Sequence, residues 1–121
     1  MQPDLQVYVK GSDKAVALYQ KAFGAELKAS HPNPDGTFKH AELDIDGLRL
    51  AISESWFRKV VKGNTMQFCF HFGEGKEAVV QKAFDVLKEK ATILYPLGPC
   101  EWSPLMFGLI DQFGVSWCIS I

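Results

Sequence analysis

Two pairs of side chains in this sequence have the types and the spacing to act together. His40 and Glu42 stand two apart in HAELDIDGLRLAIS (40–53), which alternates polar and apolar residues on either side of Asp46-Gly47. Residues i and i+2 of a strand share a face. An imidazole and a carboxylate placed so can hold one ligand, bind a metal, or pass a proton as an acid/base pair. The plainer reading is a hydrogen-bonded polar pair at the strand entrance. Cys69 and His71 repeat the spacing in MQFCFHF (66–72). A thiolate beside an imidazolium is an activated nucleophile, but a strand cysteine is more often part of an apolar wall. His71 then reads as a hydrogen-bond donor to a ligand.

Other side chains carry weaker signals. Tyr8 and Trp102 can offer aromatic surface to a planar or cationic ligand, Trp102 as a roof after a loop or as plain packing. Trp117 alternates with Val115 and Ile119, which assigns it to the core. Arg49 can pair an anionic substrate, or Glu42 or Asp44 across the hairpin. Cys100 sits in a Pro/Gly-rich loop. Gly73-Glu-Gly75 is too short for a phosphate loop and lacks the following Lys-Ser/Thr. There is no H-E-x-x-H or C-x-x-C motif.

These residues need strands to position them. Leu5–Val9 alternates as a strand. Ser12 is placed to cap a helix in which Val16, Tyr19 and Phe23 recur at helical spacing before Gly24. Glu26–Ser30 reads as a short strand, and the dense turn signals of His31–Gly36 follow. The opening stretch is a hairpin about Asp46-Gly47. The order then repeats. Met66–Phe72 is a strand, Lys76–Lys90 an amphipathic helix with Val80, Ala83, Phe84 and Leu87 inward, and Thr92–Tyr95 a short strand broken by Pro96-Leu-Gly-Pro99. Leu105–Ile110 and Val115–Ile121 complete it. Two β-α-β-β-β modules result, over about residues 1–55 and 65–121, joined by a connector at about 56–64 with room for a short helix.

Each helix covers the apolar face of its own sheet. The opposite faces are expected to line a common cup with Gln6, Tyr8, His40, Glu42, Arg49, Ala51, Gln67, Cys69, His71, Ser116 and Cys118, a usual setting for a small ligand. A net charge of -1 gives no footprint for nucleic acid or an anionic membrane. No apolar run approaches the roughly 18 residues of a membrane span. The first residues lack the pattern of a signal peptide. Three cysteines suit a reducing compartment, so a cytoplasmic protein is expected.

AVALYQKAFGAEL (15–27), HAELDIDGLRLAISES (40–55) and DQFGVSWCIS (111–120), with Trp102 between, resemble the PhnB-like branch of the vicinal oxygen chelate superfamily. That superfamily includes glyoxalase I, extradiol dioxygenases and bleomycin-resistance proteins. The resemblance covers nearly the whole chain. It implies an α+β fold, a single glyoxalase-like domain of two βαβββ modules forming a cupped mixed β-sheet, and a homodimer.

The family's metal positions fall at about Asp4, Ala51, Gln67 and Cys118. A hard divalent cation wants oxygen or imidazole donors, yet Ala51 has none and Cys118 suits softer metals. No metal and no cofactor are therefore expected. The ligand-binding candidates are Gln6, Tyr8, His40, Glu42, Gln67, Cys69, His71 and Trp102. Three functions follow. The first is a small-molecule binder without the usual metal. The second is a lyase- or isomerase-type enzyme with a metal shifted to His40, Glu42 and a neighbour such as Gln67 or His71. The third is a partner-binding protein whose cup is filled by side chains.

Overall fold

The computed structural model describes residues 1–56, 59, 61–63 and 65–121. Its elements run β1 (Leu5–Val9), α1 (Ser12–Phe23), β2 (Glu26–Pro32), β3 (Phe38–Ile45), β4 (Leu48–Glu54), β5 (Phe68–His71), α2 (Glu77–Leu87), β6 (Thr92–Cys100), β7 (Ser103–Ile110) and β8 (Ser116–Ser120). The repeated β-α-β-β-β order is thus present, in an α+β fold of two mixed four-stranded sheets. The chain divides into two compact units, Met1–Val60 and Val61–Ile121. The connecting helix expected over Trp56–Gly63 falls partly on Phe57, Arg58 and Val60, outside the described residues. No described helix is long and apolar enough to cross a membrane.

In the first unit the strand order is β1-β4-β3-β2, with β1 parallel to β4 and the other pairs antiparallel. Alternation sends Val7, Val9, Leu43, Ile45, Leu50 and Ile52 to one face, where they are buried with Ala15, Val16, Tyr19 and Ala22 of α1. Each such aliphatic side chain contributes about 2 kcal/mol by leaving water. The β3–β4 hairpin closes at Asp46-Gly47, both residues at positive φ (51° and 87°). That is the left-handed pair a tight hairpin turn demands. Helix α1 ends at Gly24 (φ 60°), whose N–H reaches the Gln20 carbonyl.

The second unit repeats the plan as β5-β8-β7-β6, with β5 parallel to β8. Phe70, Phe107, Leu109, Trp117 and Ile119 are buried with Val80, Ala83 and Leu87 of α2. Phe84 meets the Phe107 ring edge-on at 5.1 Å between centroids. Trp117 lies in this core, fully buried, as its alternation predicts, and its indole N–H donates to Asp111 Oδ2 at 2.8 Å.

Four expectations are corrected. Ser12 does not cap α1: Gly11 holds the cap position in the left-handed region without a side-chain bond. Instead the Glu54 carboxylate, at the end of β4, accepts the Ser12 N–H (2.8 Å) and hydroxyl (2.7 Å) together with the Gly11 N–H. Second, β6 is not broken by Pro96 and Pro99. It runs on to Cys100 with three register shifts, which an edge strand tolerates because its outer N–H groups need no partner. Third, β2 continues past Ser30 through His31 to Pro32. Fourth, β5 and α2 are shorter than their apolar patterns, since β5 pairs only where β8 lies beside it.

Candidate functional site

On the face of the first sheet turned away from α1, three rows of side chains cross the strands. Arg49 and Asp44 are register partners in one row; Gln6, Ala51, Glu42 and Ala29 form the next; His40 and His31 pair in the third, where Tyr8 stands opposite Ser53. Polar groups link these rows. Arg49 donates from Nη1 to Asp4 Oδ2 (3.3 Å) and from Nε to Glu42 Oε1 (3.1 Å). The second carboxylate oxygen of Glu42 accepts from His40 Nε2 at 3.0 Å. Gln6 Nε2 donates to Ser53 Oγ at 3.1 Å.

Glu42 is thereby clamped between a guanidinium and an imidazole, with its side chain 22% exposed. Arg49 is 48% exposed, and ion pairs this open add well under ~1 kcal/mol to stability. Their effect is to fix orientation. Ala51 lies between Gln6 and Glu42, is itself buried, and adds no polar atom. A pocket of about 210 Å³ adjoins this chain of groups, lined by Gln2, Lys28, Glu42, Leu43, Asp44, Gly47 and Arg49.

His31 was read only as part of a turn, yet the extension of β2 sets it opposite His40, with ring centroids 6.1 Å apart. The signal was present: a histidine one residue beyond an alternating run. The partner of Arg49 in the loop before β1 was not foreseen either, because Asp4 is remote in sequence. Asp44, an expected partner, instead accepts the Gly47 N–H across the turn at 3.4 Å.

The second sheet repeats the layout with other chemistry. Gln67 donates to Ser116 Oγ at 3.2 Å, and His71 Nδ1 is hydrogen-bonded to Ser120 Oγ at 3.0 Å. Cys69 donates to Gln67 Oε1 at 3.7 Å and meets the Cys118 thiol, so its described contacts are with these rather than with His71. Cys69 is exposed, and its register partner Cys118 is half-buried. Burial, and then the neighbouring Cys69 and Cys100, push the Cys118 thiol above its ordinary pKa. The exposed Tyr95 ring lies over Gly108, where an added Cβ would come within 2.9 Å of it. Trp102 is 73% exposed in the turn between β6 and β7.

Two carboxylates elsewhere are held ionised. Partial burial pushes Glu54 up, but the Ser12 and Gly11 donors and the nearby Lys10 outweigh it, leaving the carboxyl below its usual range. Asp35 is lowered by the Thr37 hydroxyl and N–H. Both line a groove of about 380 Å³ with Asn33, Pro34, Thr37, Ser55 and Trp56.

The family's hard-metal positions do not fit such an ion. In the first unit Ala51 carries no donor, and Asp4 already faces the Arg49 guanidinium. In the second, Gln67 serves Ser116 and Cys69, while Cys118 offers sulfur where a hard ion wants oxygen. Among the described residues no three His, Cys, Asp or Glu side chains converge as a metal site.

The comparisons agree with this architecture. A model described as Glyoxalase/Bleomycin resistance protein/Dioxygenase superfamily matches residues 3–119. Protein PA1353 from Pseudomonas aeruginosa superposes with a TM-score of 0.81 at 22% identity, covering 99% of this chain and 96% of that one. The PhnB protein from Bacillus cereus gives 0.79 at 21% identity, covering 99% and 97%. The fosfomycin resistance protein FosX from Listeria monocytogenes, complexed with Mn(II) and sulfate, gives 0.68 at 17% identity, covering 99% and 88%. At these identities the likeness is one of fold. Among curated proteins none matches.

Proposed function

The chain belongs to the Glyoxalase/Bleomycin resistance protein/Dioxygenase superfamily, and we propose that it binds a small molecule on the polar face of the β1-β4-β3-β2 sheet without a hard divalent metal. The observation that carries this is the Arg49 guanidinium set between Asp4 and Glu42, beside the donorless Ala51. A cation already neutralises the carboxylates that a metal would use. With His40 neutral, Asp4, Glu42 and Asp44 against Arg49 sum to two negative charges (−3 + 1 = −2). Such a face suits a neutral polar or singly cationic ligand and disfavours a dianion. Tyr8, Gln6 and His40 supply hydrogen bonds for orientation, as in most small-molecule sites.

The test is amide chemical-shift mapping against a library of neutral polar, cationic and phosphonate fragments. Neutral or cationic binders that move Gln6, His40, Glu42 and Ala51, with affinity lost in Glu42→Ala, are expected. Binders that perturb only residues outside this face, or a preference for phosphonates, would overturn it.

The His40–Glu42 contact at 3.0 Å favours a second reading. With Nε2 donating to the carboxylate, Nδ1 is the ring's proton acceptor, and an acid/base enzyme of lyase or isomerase type would use it. Glu42→Gln would then abolish turnover while ligand affinity stays within about threefold.

A further inference from the structure

We propose that Cys69 and Cys118 form a two-coordinate site for a soft monovalent d10 cation, Cu(I), bridging β5 and β8. The two residues are register partners on adjacent parallel strands. Both lie on the face opposite α2, because their neighbours Phe70, Trp117 and Ile119 are the buried ones. Neighbouring strands run about 4.8 Å apart. With thiolate–metal bonds of about 2.3 Å, the length found at zinc, two sulfurs on one ion lie no more than about 4.6 Å apart. The register sets the two thiols beside one another, close enough for a hydrogen bond between them and so within the span of one bridging ion.

The surroundings agree. The two thiols interact with one another, and Cys69 also donates to Gln67 Oε1, two residues before it, at 3.7 Å. Cys69 is exposed and gives access from solvent, while Cys118 is half-buried. Thiolates select soft cations over the hard ones the superfamily's enzymes use. Cys100 influences Cys118 but shares no hydrogen bond with it. Since no third ligating side chain converges among the described residues, two-coordination is the geometry on offer.

Binding breaks two S–H bonds and forms two S–Cu bonds. Both protons leave to solvent, copper stays Cu(I), and the centre carries one net negative charge. Nothing is oxidised.

The experiment is a competition titration of the whole chain with Cu(I) against a chromophoric chelator without oxygen, followed by X-ray absorption at the copper edge. One Cu(I) per chain with two sulfur neighbours is expected. Cys69→Ser removes a ligand itself, so it should weaken binding by more than the roughly 10–100-fold that losing an outer-shell partner costs. Cys118→Ser should do the same, and Cys100→Ser should leave affinity essentially unchanged. Cys69 is exposed, so its replacement tests the site even where Cys118→Ser disturbs folding. Undiminished binding in Cys69→Ser, a single sulfur neighbour, or copper shared between two chains in gel filtration would overturn the proposal.

Discussion

Glu54→Gln removes one charge from the start of α1 while leaving an acceptor oxygen in place. In the native chain Glu54 Oε1 takes the Ser12 N–H at 2.8 Å and the Ser12 hydroxyl at 2.7 Å, and both oxygens meet the Gly11 N–H at 3.1–3.2 Å. Hydrogen bonds to a charged acceptor contribute about 1.5–3 kcal/mol against about 0.5–1.5 for neutral ones. The positive end of the helix adds about 0.3–1 kcal/mol. Discounted for solvent at this edge of the unit, Gln costs ~1 kcal/mol at neutral pH. Glu54→Ala also removes the acceptor, and with no other side chain capping the helix it costs ~2 kcal/mol.

The pH dependence separates charge from shape. The folded carboxyl titrates below the ordinary value of 4.5, so its stabilisation is fully present above that value. It is lost as pH falls through the lower folded value. Amide exchange of α1 in the three proteins, at neutral pH and as the pH is lowered through the acid range, reads the effect locally. Glutamine should lose its disadvantage in acid. An equal cost at both pH values, or Ala no worse than Gln, would refute the assignment of Glu54 as the cap.

Asp111→Ala strips the acceptor from the Trp117 indole N–H and from the Phe113 and Val115 amides. A loss of ~3 kcal/mol is expected in urea unfolding followed by tryptophan fluorescence, with Asp111→Asn retaining part of it. Because burial and its thiol neighbours hold Cys118 protonated, iodoacetamide at neutral pH should modify Cys69 before Cys118. Mass-spectrometric mapping of the first labelled site checks that order. Light scattering should return the mass of two chains, as the family resemblance implies.

Much of the fold was legible because local signals agreed with one another. The alternation of HAELDIDGLRLAIS and its Asp-Gly turn demanded a hairpin with His40 and Glu42 on one face, and β3 and β4 are that hairpin. Helical spacing in 15–23 marked Val16 and Tyr19 as core, and both are buried. What escaped depends on partners distant in sequence. Ser12 has the composition of a cap, but Glu54, 42 residues on, takes its hydroxyl and amide. Arg49 had two plausible partners across the hairpin, and the choice of Glu42 with Asp4 depends on β1 lying parallel to β4. His31 gained its place only through the extension of β2. Tyr95 over Gly108 needs the neighbouring strand to be known before the glycine has meaning. For the site, face membership followed from alternation, whereas the links within it are tertiary.

The uninterrupted passage of β6 through Pro96 and Pro99 bears on how this protein avoids edge-to-edge aggregation. A sheet edge of unpaired amides invites another chain to add a strand, and that is how ordered aggregates grow. The outermost strand of the second sheet carries exposed Ile93, Leu94 and Tyr95, an otherwise adhesive combination. Two prolines remove N–H donors from the same strand, and its register shifts spoil a flat template. Substituting both prolines with threonine would restore the donors and turn a quiet border into a nucleus for strand-by-strand aggregation.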